Sequence, residues 1–440
     1  MGRWRASGEA SAPVDDTPRR PKAADPAPIT ELAIDPATPL YRVRPFALLF
    51  ATRLAANISN HMLAVAVGYQ VYELTDSALN LGLIGLVQFL PPLLLMLLAG
   101  QAADRYNRRL VLRACFAVEL CTSAGLLAVT LAPRPSVAAI FALVFINACA
   151  RTFEQPTVQS LVPVMAPRVL LGRAIAAYVS AGKLSVLVGP SLGGVLYIFG
   201  PEIVYGACTL MVSIATIACI RMPDPPTPAE RPKVSWDTLM AGFRFIWRCP
   251  AMLGAMSFDL IATLFGGVQA LLPIYARDIL DIGAWGSGLL RSAPALGALL
   301  AAAVLTRFPI RRHAGLYSYA GFTVYGAMTI VFGLSENVAL SIGSLMLVGA
   351  GDMMSSVVRQ TLIQVTTPDP MRGRVAAVNS LFIGTSGQLG SFRAGMMAAW
   401  IGAVGAVVIG GAAALATVAL WLWLFPALRR VDRADEAQPY

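Results

Sequence analysis

The sequence predicts an all-α integral membrane protein: twelve transmembrane helices in two pseudo-symmetric six-helix halves, with both termini cytoplasmic. Three observations carry that expectation. Hydrophobic residues make up 57% of the 440 and charged residues 13%, against about 45–50% and about 25% in a soluble domain. Mean hydropathy is +0.66. Apolar runs of spanning length recur along the chain, and basic residues concentrate in every second connection. A soluble enzyme, a nucleic-acid binder and a disordered scaffold are excluded, because too few charges are present to cover so much apolar surface.

Residues 1–45 are rich in Pro, Ala and mixed charge and lack a signal-peptide apolar core. They read as a disordered cytoplasmic tail. A membrane helix needs about 20 apolar residues. Spans of that kind run over 46–73, 80–100, 110–131, 136–163, 173–198 and 201–222, which make an N-terminal half of 46–222. Six more run over 251–280, 284–306, 315–334, 337–364, 374–399 and 404–426, a C-terminal half of 251–426. Residues 427–440 form a second cytoplasmic tail. Pro91, Pro92, Pro156 and Pro190 mark kink sites.

Lys and Arg set orientation, because cytoplasmic loops are enriched in them. The odd-numbered connections are almost free of them, with Arg134 and a bordering Arg277 as exceptions. The even-numbered ones carry Arg105, Arg108, Arg109, Arg168, Arg221, Arg231, Lys233, Arg244, Arg248, Arg311, Arg312 and Arg372, and the tail adds Arg429, Arg430 and Arg433. The net charge of +10 is therefore topological and gives no reason to expect nucleic acid. Between the halves, 223–250 opens with Asp224, Pro225, Pro226 and Pro228. Its stretch 235–248 interleaves aromatic and aliphatic residues with Arg244 and Arg248, as an interfacial amphipathic helix does. Six cysteines with no CxxC pair read as packing residues, neither disulfides nor metal ligands.

The halves repeat each other. Gln159-Ser160-Leu161 and Gly172-Arg173-Ala174 align with Gln360-Thr361-Leu362 and Gly373-Arg374-Val375 at a constant offset of about 201. Such duplication is a transporter signature.

The connection after the second span holds Gly100, Asp104, Arg105, Arg108 and Arg109. It resembles the G-x-x-x-D-R-x-G-R-R motif of the major facilitator superfamily, with Asn107 where that family usually has Gly. The expected role is a gating latch: Gly100 for close packing, Asp104 beside helix N-termini, and the arginines bridging the halves. The fifth span carries Gly189, Pro190, Gly193 and Gly194. These resemble the G-P-x-x-G-G motif of exporters in the superfamily, although ordinary small-residue packing explains them equally well. Val71-Tyr72-Glu73-Leu74-Thr75-Asp76-Ser77-Ala78, Phe153-Glu154-Gln155-Pro156, Ala241-Gly242-Phe243-Arg244-Phe245 and the run from Thr367 to Val375 narrow the likeness. Together they resemble the enterobactin-exporter-like group, the transmembrane secretion effector family. The resemblance covers roughly 46–426. It implies export of a small molecule by proton-driven alternating access, without naming the substrate.

Ionisable groups at membrane depth are costly and mark function by default. Arg53, Asn57 and His61 share one face of the first span, and Asn147, Arg151 and Glu154 one face of the fourth, followed by Gln155. Asp259 lies in the seventh span and Asp352 in the tenth. The repeat matches Arg151 with Asp352 and Arg53 with Asp259. In the superfamily fold helices 1, 4, 7 and 10 line the cavity, so these pairs are expected to face each other across the pathway. A carboxylate that alternates between a desolvated site and an arginine binds and releases a proton. Static ion pairs are the competing reading. Glu119, in a peripheral third span, reads as structural; Lys183, Arg291 and Arg393 are harder to place.

No G-x-x-x-x-G-K-[ST] occurs, which disfavours ATP-driven pumping, and no catalytic constellation or cofactor motif is present. The sequence thus predicts a transporter and not an enzyme. It takes no cofactor, and works in a bacterial cytoplasmic membrane on a small amphipathic molecule, siderophore-like or drug-like. Protons are the expected second partner and a monomer the expected state. Import, lipid movement between leaflets and a non-transporting sensor remain as alternatives.

Overall fold

The computed structural model describes residues 39–223, 236–308 and 313–429. Most of the expected tail 1–45, the start of the linker (224–235), Arg311, Arg312, the end of the C-terminal tail and the side chains of Asp104 and Arg168 lie outside the described residues. Within them every regular element is a helix: α1 (Arg44–Thr75), α2 (Ala78–Arg105), α3 (Arg108–Leu131), α4 (Val137–Met165), α5 (Leu171–Tyr197), α6 (Pro201–Arg221), α7 (Trp236–Arg248), α8 (Pro250–Gly266), α9 (Leu272–Ile274), α10 (Gly283–Arg307), α11 (Ala314–Leu334), α12 (Val338–Thr366), α13 (Asp369–Leu424) and α14 (Pro426–Arg429).

The ends are written locally. Ser77, Ser136 and Asn337 accept backbone N–H bonds from Asn80, Ala139 and Leu340 at the starts of α2, α4 and α12. Pro201 and Pro250 sit in the first turn of α6 and α8, where no N–H is needed. Helix α1 starts before residue 46, so the tail that reads as disordered ends sooner than expected.

Among the described residues, nine helical segments are long and apolar enough to cross a membrane. Helices α1 and α11 fall outside that set, being diluted by polar residues and by Tyr, Gly, Ser and Thr. Helix α13 counts once although it runs for 56 residues. It bends at Gly402, whose φ of 79° and ψ of 163° are open to glycine and strained for other residues. Gly410 packs against the Arg393 guanidinium, so the chain turns back there. The eleventh and twelfth spans are the two limbs of this one element.

The seventh span differs more from expectation. Its helix stops at Gly266. A 3-10 turn over Gln269–Leu271, the short α9 and a π-helical turn over Tyr275–Ile279 complete the passage. The Gly266–Gly267 pair and Pro273 break the regular ladder. The prolines expected to kink other spans (Pro91, Pro92, Pro156 and Pro190) sit inside continuous helices.

Helix α1 packs on α5 and α6, α2 on α4, and α3 on α4 and α6. A second group joins α8 to α13, α10 to α12, and α11 to both α12 and α13. Two seams connect the groups, α2 with α13 and α5 with α10. Glycines build both. A Cβ on Gly82 would lie 2.9 Å from the Phe392 carbonyl, and one on Gly194 2.8 Å from the Ala284 carbonyl. Lipid tails are as apolar as leucine, so close backbone packing must hold such seams. Large apolar side chains such as Leu94, Trp400 and Trp423 point outward instead.

Helix α7 docks on the second group. Ile246 is buried, the Phe243 and Phe382 rings lie 6.4 Å apart, and Gly242 meets the Arg374 backbone. Trp247 stays exposed.

Candidate functional site

The polar interior is built from two clusters. In the first group of helices, Arg151 Nη1 lies 3.0 Å from Glu154 Oε2 and 4.0 Å from Glu119 Oε2, while its Nη2 donates to Asn57 Oδ1 at 3.1 Å. Asn147 donates to Thr122 at 3.1 Å beside them. Helices α1, α3 and α4 are thereby tied together. Both carboxylates are buried, and Glu119 Oε1 and both Glu154 oxygens lack a hydrogen-bond partner. In the second group, Arg359 of α12 ion-pairs with Asp259 of α8, both buried. Asp352, two turns before Arg359, makes no hydrogen bond or ion pair with the described residues; the charges acting on it are Asp259, Arg359 and Lys183.

These pairings correct two expectations. Arg151 does not meet Asp352, nor Arg53 Asp259, because Arg151 pairs with Glu154 and Asp259 with Arg359, each inside its own group. Glu119, expected to be structural, is carried to Arg151 by the packing of α3 on α4. Arg359 was missed, although its i+7 spacing from Asp352 places both on one face of α12.

The other expected residues are placed as follows. Arg53 lies with its guanidinium 4.8 Å from the Tyr178 ring centroid and beside Gly182. His61 packs on Gly189. Gln155 is exposed and joins neither cluster.

The fifth-span motif is a three-helix joint. Gly189 and Gly193 meet His61 and Met62 of α1, while Gly194 and Pro190 meet Gly288 of α10. Next to it, Ser191 Oγ donates to Ser292 Oγ at 2.8 Å across the seam.

Of the loop after α2, whose Asp104 side chain lies outside the described residues, the following contacts are seen. Nothing lies within 4 Å of a Cβ on Gly100, so that glycine serves no close packing. Arg105 is exposed. Arg108 donates to the Ala103 and Ser160 carbonyls, and Arg109 to the Ile220 carbonyl. The hydrogen bonds described for them run to α2, α4 and α6, inside the first group.

The contacts that do bridge the groups gather at one end. Arg277 Nη1 lies 2.7 Å from Asp76 Oδ1, and its guanidinium 5.2 Å from the Tyr72 ring centroid. The Tyr72 hydroxyl donates to Asp278. Beside them, the Tyr197 hydroxyl donates to Glu73 Oε2 at 2.5 Å. The Val71–Ala78 motif and the π-turn thus form a polar latch at the end of α1.

The transmembrane secretion effector family profile matches residues 35–439. The chain is 28% identical over 390 residues to an enterobactin exporter of Citrobacter koseri, covering 88% of this chain and 92% of that one. It is 27% identical over 378 residues to an enterobactin exporter of Salmonella paratyphi A, covering 83% and 90%. Among solved structures it is similar to a bacterial homolog of the human lysosomal transporter Spinster, inward-facing and unoccupied. The TM-score is 0.70 at 15% identity, covering 89% of this chain and 97% of that one. It is also similar to the nucleoside transporter NupG, with a TM-score of 0.63 at 13% identity, covering 88% and 99%. The last two likenesses concern the fold alone. A helical bundle of apolar spans with buried charges, matched along nearly its whole length, is a multi-pass major facilitator transporter and not an enzyme, and the chain belongs to the transmembrane secretion effector family.

Proposed function

We propose that the protein is a proton-coupled exporter of a small amphipathic molecule, siderophore-like or drug-like, working by alternating access as a monomer in a bacterial cytoplasmic membrane. The observation that carries this reading is the one-sided closure. The bridging contacts Gly68–Pro273, Tyr72–Asp278, Asp76–Arg277, Ser191–Ser292 and Gly194–Gly288 all lie toward one end of the bundle. That end is opposite the basic connections, which the positive-inside rule puts in the cytoplasm. Twelve crossings, two six-helix halves and cytoplasmic termini follow, with the α1 latch outside and the pathway opening inward. Helix α7 then lies at the inner membrane surface.

Proton coupling rests on four carboxylates inside the spans. Glu119 and Glu154 share one arginine, Asp259 pairs with another, and Asp352 lies two turns from that second arginine on α12 without an ion pair of its own among the described residues. Arg53, Asn57, His61 and Gln155 lie on α1 and α4, two of the three helices that hold the first cluster, and take substrate or proton contact. The direction is supported by the relatives, which are named as enterobactin exporters.

The test is metabolite profiling of cells and medium, with and without the gene, in iron-replete and iron-limited growth. A compound that accumulates in cells lacking the gene and vanishes from their medium is the expected result. A compound that stays in the medium and is missing from cells would make the protein an importer.

A further inference from the structure

We infer that the groove between α2, α3 and α4 seats one acyl chain of an anionic phospholipid of the cytoplasmic leaflet, whose phosphate rests at Arg105. The inference goes beyond the transporter reading and takes from it only the orientation in the membrane.

The groove comes from short side chains between three helices. It measures about 450 Å³, and its lining includes Ala102 of α2, Val111, Cys115 and Val118 of α3, and Cys149 and Phe153 of α4. Thiols aside, no polar side chain lines it. Residues 111, 115 and 118 share one face of α3, and 149 and 153 one face of α4, so the trough runs along both helices. One turn beyond Val118, Thr122 accepts a hydrogen bond from Asn147 at 3.1 Å and ties α3 to α4. The other end reaches Val111 in the first turn of α3 and Ala102 near the end of α2. Arg105 and Tyr106 follow Ala102 by three and four residues, on its side of the helix, and both are exposed.

The chemistry of the walls and of the mouth selects the occupant. Water needs about two to four polar partners and finds none along these walls. A second copy of the chain is disfavoured by charge. Residues 104–109 hold three arginines against one aspartate, and a two-fold axis through this face would bring two such loops together at one depth. A phospholipid matches both parts. Its tail is as apolar as the walls, its phosphate suits a guanidinium, and tyrosine favours the same interfacial depth. A tail gains no hydrophobic energy by leaving other tails, so the headgroup supplies the preference and the trough supplies the place. Cys115 lies one turn before Glu119, and Phe153 lies next to Glu154. The seated chain therefore supports the packing of α3 on α4 where Glu119 approaches Arg151 at 4.0 Å.

The experiment is native mass spectrometry of the purified full-length protein after incubation with equal amounts of phosphatidylglycerol and phosphatidylcholine of identical chains. The last lipid retained as collision energy rises is scored. The wild type is expected to keep phosphatidylglycerol about fivefold over phosphatidylcholine, the scale of one arginine at an anionic surface. Arg105→Gln removes that preference while a lipid is still retained. Cys149→Trp, which fills the trough from a half-buried position, lowers retention of both lipids. Leu299→Trp, on an exposed face of α10, leaves both unchanged and controls for the added ring. Phosphatidylglycerol also raises the melting temperature of the wild type and not that of Cys149→Trp, whose cooperative melting shows that it folds. Equal retention of the two lipids, a preference unchanged in Arg105→Gln, retention unchanged in Cys149→Trp, or an equal loss in Leu299→Trp overturns the site. So does a lipid-free dimer that Cys149→Trp dissociates, which would give the groove to a second copy. The readout is binding without flux, so it stands or falls separately from the export reading.

Discussion

Arg151 lies one turn before Glu154 on α4, with its Nη1 3.0 Å from the Glu154 carboxylate, and it carries Glu119 of α3 as a second anion at 4.0 Å. One guanidinium thus serves two buried carboxylates, and the excess negative charge has no other cation in contact among the described residues.

Removing that arginine should be severe. Arg151→Leu leaves both carboxylates buried without a counter-ion, and losing one partner of a buried pair costs about 3–5 kcal/mol. Thermal unfolding of the detergent-purified protein should fall sharply. Adding Glu119→Gln to Arg151→Leu should recover part of the loss. If the double variant is no more stable than the single one, the three groups do not share one electrostatic site.

Asp259 and Asp352 should separate into two roles. Asp259→Asn leaves Arg359 buried and unmatched, so both stability and transport fall. Asp352→Asn removes no ion pair, so stability holds while pH-gradient-driven transport in inverted vesicles drops at least about tenfold, the scale of a lost proton carrier. Full gradient-driven transport in both variants would remove these two carboxylates from the coupling scheme.

The latch at the end of α1 should bias the conformational equilibrium only slightly. Asp76 and Arg277 are solvent-exposed, and such pairs contribute about 0.2–1 kcal/mol. Arg277→Ala should therefore raise the outward-open population by at most about fivefold, less at high salt. Spin labels at Leu74 and Asp281 report the opening as a longer distance. The charge swap Asp76→Arg with Arg277→Asp should return the distribution toward wild type; a swap no better than Arg277→Ala would show that the pair is not the latch.

The α5–α10 seam should resist any side chain. A Cβ on Gly194 would meet the Ala284 carbonyl and Gly288 Cα within 3 Å. Gly194→Val should prop this end apart, abolishing transport while the protein still inserts. Labelling of a cysteine at Ser292 by a membrane-impermeant maleimide from outside should rise. Unchanged labelling would mean that this seam is not what closes the pathway.

Local information was enough for much of this protein. Span length depends on the number of consecutive apolar residues, so eleven of the expected helices fall within a few residues of those observed, and α12, for example, covers Val338–Thr366 against an expected 337–364. The polar faces of α1 and α4 were legible because helical spacing is fixed at 3.6 residues per turn. The breaks were legible only in part. Gly402 lies inside an expected connection, and Gly266, Gly267 and Pro273 weaken the helix at the end of α8, but the π-turn that follows has no such local mark. Partnership between helices was decided by tertiary structure. Arg53 and Arg151 pair by the internal repeat with Asp259 and Asp352, yet the packed chain gives Arg151 to Glu154 and Asp259 to Arg359. Helices form from hydrogen bonds within four residues, and Arg151 meets Glu154 one turn away on its own helix, whereas Arg359 reaches Asp259 and Arg151 reaches Glu119 only once helices cross.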